Sequence, residues 1–429
     1  MNDARELEDL HSAIQMKDLE MVEWSLKTGV NLDQFDENKN TPVLLAIKVN
    51  HSDILKRLLH KGADPDFPNQ DGTTPLISAV LNRSNEIIHI LLESGANPNI
   101  KDFDWKSPIE YAVELGDLKI IKSLKQKEIQ LDEVDVNGDN LLHKACRFGH
   151  ADVAIYLLEQ GVSHLVLNRN LERPLTLAAS MQHAEVVSFL LKYNTDPNSK
   201  DIKGNTPLIY SSMKGNLTIS KLLLEKGADP NISNNSGETA ILYAARSSDA
   251  DLVRLLLENG AEMEHFQRHP ILDACSSGAL PVVKVFVEFG ADINVRDHLG
   301  NSTISEAVSS GNTEVVFFLM TQKVDLDSSD INGNTPMIRA IIKGDKNIVT
   351  LFLFSWVNLE KKDSNGYSAL TWASASGHKE IESMIRKELE IRKSYAAQIK
   401  EGEFREVMET DVLDEEITEL FSSLEENPD

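Results

Sequence analysis

Twelve histidines and two cysteines are the residues of this 429-residue chain best suited to do chemistry. His143 and Cys146 stand three apart. That spacing puts both on one face of a helix, where an imidazole and a thiolate could share a metal ion. A structural zinc site needs four ligands, and no further donors follow at useful spacing. Other signatures of chemistry are missing too. There is no phosphate loop of the G-x-x-x-x-G-K-[ST] type, no nucleophile elbow and no H-E-x-x-H. The sequence therefore predicts no catalytic, cofactor-binding or metal-ligating residues, and a protein that is not an enzyme.

The elements that hold these residues repeat. Thr-Pro or a close variant recurs at Thr41-Pro42, Thr74-Pro75, Ser107-Pro108, Arg173-Pro174, Thr206-Pro207 and Thr335-Pro336. Asn140-Leu141, Thr239-Ala240, Ser302-Thr303 and Ser368-Ala369 fall on the same period of thirty-three residues. A period of this length marks a solenoid of small stacked units in which each contacts its neighbours. The seventh copy shows the logic. Thr206 can cap a helix N-terminus. Pro207 takes the first helical position, where its missing N–H costs nothing. Gly215 suits a left-handed stop. Ile219, Leu222, Leu223 and Leu224 form the apolar stripe of a second helix, and Gly227 ends it.

The pattern resembles the ankyrin-repeat family, with D-x-x-G-x-T-P-L opening each unit and L-L-x-x-G-A-D-x-N closing it. Gly62-Ala63-Asp64, Gly95-Ala96-Asn97, Gly227-Ala228-Asp229, Gly260-Ala261-Glu262 and Gly290-Ala291-Asp292 carry the closing motif. Leu10-His11 and Leu142-His143 carry the family's Leu-His pair. The resemblance implies an all-α repeat solenoid of about twelve units, each a β-turn finger and two antiparallel helices; beyond the repeats the residues themselves read as a helical, acidic C-terminal tail. It also gives His143 a structural role bridging loop backbone groups. Cys146 and Cys275 then stand where the family buries alanine.

The units open near Asp3, Asp36, Asn69, Asp102, Asp135, Asn168, Asp201, Asn234, Glu264, Asp297, Asp330 and Asp363. This divides the chain into a capping repeat (1–35), repeats two to eight (36–266), repeats nine to twelve (267–385) and a helical extension with an acidic tail (386–429). Three departures stand out. The ninth finger is about three residues short, with only Gln267 and Arg268 before His269-Pro270, and is expected to bend or divide the array. The fourth unit has Lys125 and Glu128 where Leu and Gly are usual, so its second helix should pack less well. The eleventh has Trp356 in place of the terminating glycine.

Composition narrows the function. Two cysteines exclude a disulfide framework. The N-terminus lacks an apolar signal core, and no apolar run is long enough to span a membrane. A cytoplasmic protein is expected, with the nucleus as the alternative. The formal net charge is −25. Residues 401–429 hold 12 acidic residues and one base, Arg405, so −11 of that charge lies in the tail. A negative field repels phosphate backbones, so nucleic-acid binding is not expected.

The resemblance implies protein partners that meet the concave side, built from finger tips and the exposed ends of first helices. The position just before the usual glycine reads Val49, Asn82, Leu115, Phe148, Met181, Lys214, Ser247, Ser277, Ser310, Lys343 and Ser376. Leu115, Phe148 and Met181 are consecutive and predict one apolar strip. A buried position would be apolar in every repeat. Phe103 and Trp105 in the fourth finger, Tyr111, Tyr210 and Tyr243 at a shared helix position, and Arg147 and Lys214 among them complete the candidate site, as anchors of this kind do at interfaces. The charges around them are mixed. For Trp105 and Tyr111 a second reading stands, that they fold down to cover the fourth unit.

The expected function is a monomeric scaffold, adaptor or inhibitor. The alternative is a regulatory subunit that bridges two proteins through its tail, in ubiquitin-ligase or transcriptional machinery. Delivery into host cells by a microbe is a further possibility. In the tail Ile417, Leu420, Phe421 and Leu424 fall at i, i+3, i+4 and i+7, an amphipathic helix that needs a partner. The tail is read either as a solubilising segment or as a motif, and a motif of this kind could also dock on the chain's own central strip.

Overall fold

A computed structural model describes residues 2–36, 39–264 and 269–400, with the side chains of 5–36, 39–264 and 269–394. Among these residues, 24 α-helices follow one another in twelve antiparallel pairs. The contacts divide the chain into two bodies, Met1–Ser236 and Gly237–Asp429. The division falls within the eighth finger. Gln267 and Arg268, on which the expected shortened ninth finger rests, lie outside the described residues.

The seventh repeat is built as its sequence dictates. The Asp201 carboxylate accepts the N–H groups of Lys203 at 2.9 Å and Asn205 at 2.7 Å, folding the finger back on itself. Thr206 Oγ1 accepts the Ile209 N–H at 3.2 Å and caps the first helix, Pro207–Met213. Gly215 at φ +66° turns the chain. Asn216 then caps the second helix, Leu217–Glu225, through the Ile219 N–H at 3.0 Å. Ile219 and Leu223 are fully buried, each contributing about 2 kcal/mol by removal from water.

The departures have local causes. In the fourth repeat the second helix, Leu118–Leu124, spans seven residues where the seventh repeat has nine. Ile129 and Leu131, beyond its end, are buried instead. In the eleventh repeat Trp356 adopts φ +55°. The last helix, Lys379–Lys400, reaches back to that corner. There Arg392 donates to the carbonyls of Val357 at 2.6 Å and Leu353 at 3.1 Å, and its guanidinium lies 5.0 Å from the Trp356 ring centre. A side chain from the next repeat thus satisfies the carbonyls at that helix end.

Candidate functional site

The ends of the first helices are open along the whole register. From Val49 to Ser376 every residue at that position is half-buried or exposed, so the position is not core. Within the first body Leu115 is half-buried, Phe148 is 46% exposed and Met181 43% exposed. Phe148 ends the helix Leu141–Phe148, and Gly149 turns the chain at φ +76°. His150 then sets its ring nearly parallel to that of Phe148, 6.2 Å between centres. Its Nε2 bonds the Glu114 carbonyl of the previous repeat at 2.9 Å. His183 bonds the Arg147 carbonyl in the same way at 3.1 Å. A Cβ on Gly149 would lie 2.4 Å from the His183 ring, so this corner admits only glycine.

Several fingers are tied to their own first helix. Asp102 accepts the N–H groups of Asp104 and Lys106, both at 3.0 Å, through one oxygen, and the Tyr111 hydroxyl at 2.6 Å through the other. Nine residues separate the acid from its donor. The same offset joins Asp135 to Lys144, Asp201 to Tyr210 at 2.5 Å, Asp330 to Arg339 at 2.9 Å and Asp363 to Trp372 at 3.0 Å. The hydroxyls of Tyr111 and Tyr210 therefore hold fingers, and both side chains are half-buried. Burial and the bond to Asp201 push the Tyr210 phenol up to about 12. Tyr243, in the second body, donates to the Glu238 carboxylate.

Beside Phe148 lies a recess of about 500 Å3, whose lining includes Lys106, Arg147, Asn137, Arg169 and Asn170. Finger tips and helix ends thus share one face. Glu114, Asp135, Asp139 and Lys144 line the same recess and belong to a charge network that crosses three repeats. Lys144, its side chain 7% exposed, lies 2.6 Å from Asp135, 3.5 Å from Glu110 and 3.7 Å from Glu114. Lys106 pairs with Glu114 at 2.8 Å. Asp139 takes Arg147 at 2.6 Å and Asn168 at 2.8 Å. Burial works to raise the Asp135 carboxyl, but the Lys144 ammonium and the Asn137 N–H outweigh it and hold it below the usual range. Burial likewise opposes the charge on Lys144, and the same carboxylates overcome it.

His143 and Cys146 do not form a site. The His143 Nδ1 lies 2.7 Å from the Asn140 side-chain oxygen, and Nε2 lies 3.1 Å from the Glu172 carbonyl. Burial lowers the affinity of its ring for a proton. Cys146 is wholly buried, which pushes its thiol up. Among the described residues no group of three or more His, Cys, Asp or Glu is placed to hold a metal ion.

Trp105 stands out from the fourth finger, 69% exposed at φ +60°, and does not cover the repeat beneath it. Phe103, at the tip of that finger, is exposed and closes over Gly72. Val136 and Ile202 are exposed at the matching tip position of the fifth and seventh fingers, and Arg169 fills it in the sixth. These three differ in residue type, so the sequence does not single them out, although each stands one register step beyond its finger's first residue. Adjacent fingers are joined along this row: the Arg169 N–H donates to Asn137 and the Ile202 N–H to Asn170, both at 2.8 Å. Ile417, Leu420, Phe421 and Leu424 lie outside the described residues.

Capped helix pairs, turn fingers and finger-to-finger bonds define a stacked α-helical repeat protein. A family model described as ankyrin repeats, three copies, matches residues 10–102, 109–201, 160–234, 190–267, 230–297 and 304–394, and the chain belongs to that family. Ankyrin repeats are in general protein–protein interaction modules and are typically not enzymes. None of the curated proteins compared with the chain matches it. No described helix is long and apolar enough to cross a membrane.

Proposed function

We propose that this protein is a scaffold or adaptor that docks a partner protein on the finger side of its first body. One observation carries the reading. At a register position open to solvent in every repeat, three consecutive members are Leu115, Phe148 and Met181, while the repeats from Ser247 onward carry Ser and Lys. Exposed apolar surface set in a line signals a partner. Phe103, Trp105, Arg147 and Lys214 extend it, with the half-buried Tyr111 and Tyr210. Tyr243 sits in the second body and serves there as a finger tether first. The array is preordered, so docking costs little conformational entropy. In this reading the protein acts as a monomer in the cytoplasm or nucleus, and its charge of −25 disfavours nucleic acid as the partner.

The test is Phe148→Glu. Circular dichroism should be unchanged and partner capture from native lysate should fall at least tenfold beside wild type. Undiminished capture by a folded variant removes the strip from the site. A second reading, a regulatory subunit that bridges two proteins, is favoured by the acidic amphipathic pattern at Ile417, Leu420, Phe421 and Leu424. Deleting residues 404–429 separates the two: activity lost with capture intact supports the bridge, and activity retained excludes it.

A further inference from the structure

The strip looks charge-balanced by count, yet its charges are not equally available. In the first body most carboxylates along it are already engaged, Asp104 being the exception. Asp102 and Asp201 accept tyrosine hydroxyls. Asp135, Glu110 and Glu114 surround Lys144. Asp139 holds Arg147 and Asn168, and Glu172 accepts from Asn168 at 2.9 Å. The cations differ. Arg169 at the sixth finger tip, Lys203 in the seventh finger and Lys214 at the end of the strip are exposed, and among the described residues none has a side-chain hydrogen bond or ion pair. Asp104 is the exposed acid at the other end, beside Trp105. The face therefore offers an apolar line that runs into free positive charge at its sixth- and seventh-repeat end.

We infer that this face takes an acidic amphipathic helix of a protein partner, its apolar ridge on Leu115, Phe148 and Met181 and its carboxylates towards Arg169, Lys203 and Lys214. The inference rests on the docking role proposed above and specifies the chemistry of the partner. Geometry supports a helix. Neighbouring packed helices lie about 8–10 Å apart, and a docked helix advances about 10 Å in seven residues. Apolar residues at i and i+7 on the partner would then meet successive members of the strip. Unpaired exposed cations steer acidic ligands and raise the rate of encounter.

Residues 404–429 of this chain have that chemistry in sequence, so a peptide of that segment is a ready probe. The receptor is the full chain carrying Leu420→Glu and Phe421→Glu, which keeps its own copy of the segment from competing. Fluorescence anisotropy of the labelled peptide should show saturable binding. Adding Arg169→Glu, Lys203→Glu and Lys214→Glu should weaken it at least tenfold, and Phe148→Glu should weaken it as much. A peptide with its acids changed to amides should bind at least tenfold more weakly. If Phe148→Glu abolishes binding and the charge reversals do nothing, the acidic partner is wrong and the docking strip stands. No peptide binding, or binding indifferent to Phe148→Glu, overturns this inference, while partner capture by wild type against Phe148→Glu judges the docking role separately.

Discussion

The two bodies use one register for different ends. In the first, the exposed ends of the helices carry Leu115, Phe148 and Met181, and the carbonyls near them are bonded by His150 and His183 from the following repeat. In the second, Ser247, Ser277 and Ser310 turn their hydroxyls back to the carbonyl three residues earlier, at 2.8, 3.0 and 2.7 Å. Side chains of the following repeat bond carbonyls here too, Asn312 that of Gly278 at 2.9 Å and Lys343 that of Ser309 at 2.8 Å, so the bodies differ in the surface at this position, where the serines present little apolar area. Their buried charges contrast as well. The first body centres on Lys144 among three acids. The second holds Glu306 half-buried, and burial together with Asp297 and Asp273 raises its carboxyl against the pull of Ser276 and Arg339. A shared backbone thus carries an apolar strip in one body and a polar one in the other.

The largest expected effect would break the contrast at its charged centre. Lys144→Ala leaves Asp135, Glu110 and Glu114 without their common cation and should cost about 3–5 kcal/mol. Hydrogen exchange should speed up in Leu141–Phe148 and its neighbours and stay unchanged in Thr303–Ser310. Equal loss in both helices would mean that the bodies do not differ in this way.

Acid should move the bodies in opposite directions. Burial holds His143 below its ordinary value of 6.5, so the unfolded chain binds the extra proton and the first body loses stability as pH falls below 6.5. Glu306 lies above its ordinary value of 4.5, so the folded chain binds the extra proton and the second body gains stability as pH falls towards 4.5. One proton per group limits each slope to about 1.4 kcal/mol per pH unit. Exchange rates read separately for the two bodies between pH 7 and 5 check the signs, and parallel slopes would refute the assignment.

Trp105→Gly should stabilise the fourth repeat by about 1 kcal/mol by relieving a left-handed backbone, and should weaken partner capture. A residue that costs stability and supports binding is expected at a functional site. A gain in stability with capture unchanged would leave Trp105 without a role in docking. The smallest change is a transplant. Ser247→Leu with Ser277→Phe and Ser310→Met should alter stability by less than about 0.5 kcal/mol per site, these positions being exposed or half-exposed. It should not confer capture on a Phe148→Glu chain, because the fingers and free cations of the first body are not transplanted with it. Restored capture would show that the strip alone suffices.

The exposure of the candidate site's residues was legible in the register. Leu115, Phe148 and Met181 are open as their place in the series required, since a position filled by Ser and Lys elsewhere cannot be core. The tyrosines were legible as a shared position but not as tethers, because the bond runs from a finger acid to a donor nine residues on and depends on how the finger folds. Val136, Arg169 and Ile202 were legible in principle, one step beyond each finger's first residue, and were hidden by differing residue types.

The sequence by itself determined the fold. Caps, turn acids and left-handed glycines act within a few residues of one another, so thirty-three contiguous positions specify a repeat and its copies specify the stack. It also determined the formal charge, −25. Which charges remain available was decided only by tertiary structure. Lys144 meets acids from two repeats, Asn168 reaches Asp139 across 29 positions, and Arg392 reaches the corner at Trp356 from the final helix. A charge is neutralised by what lies within a few ångströms, and in a stacked array that neighbour usually comes from the next repeat. Composition counted the strip as mixed; packing left the free charge at its sixth- and seventh-repeat end positive.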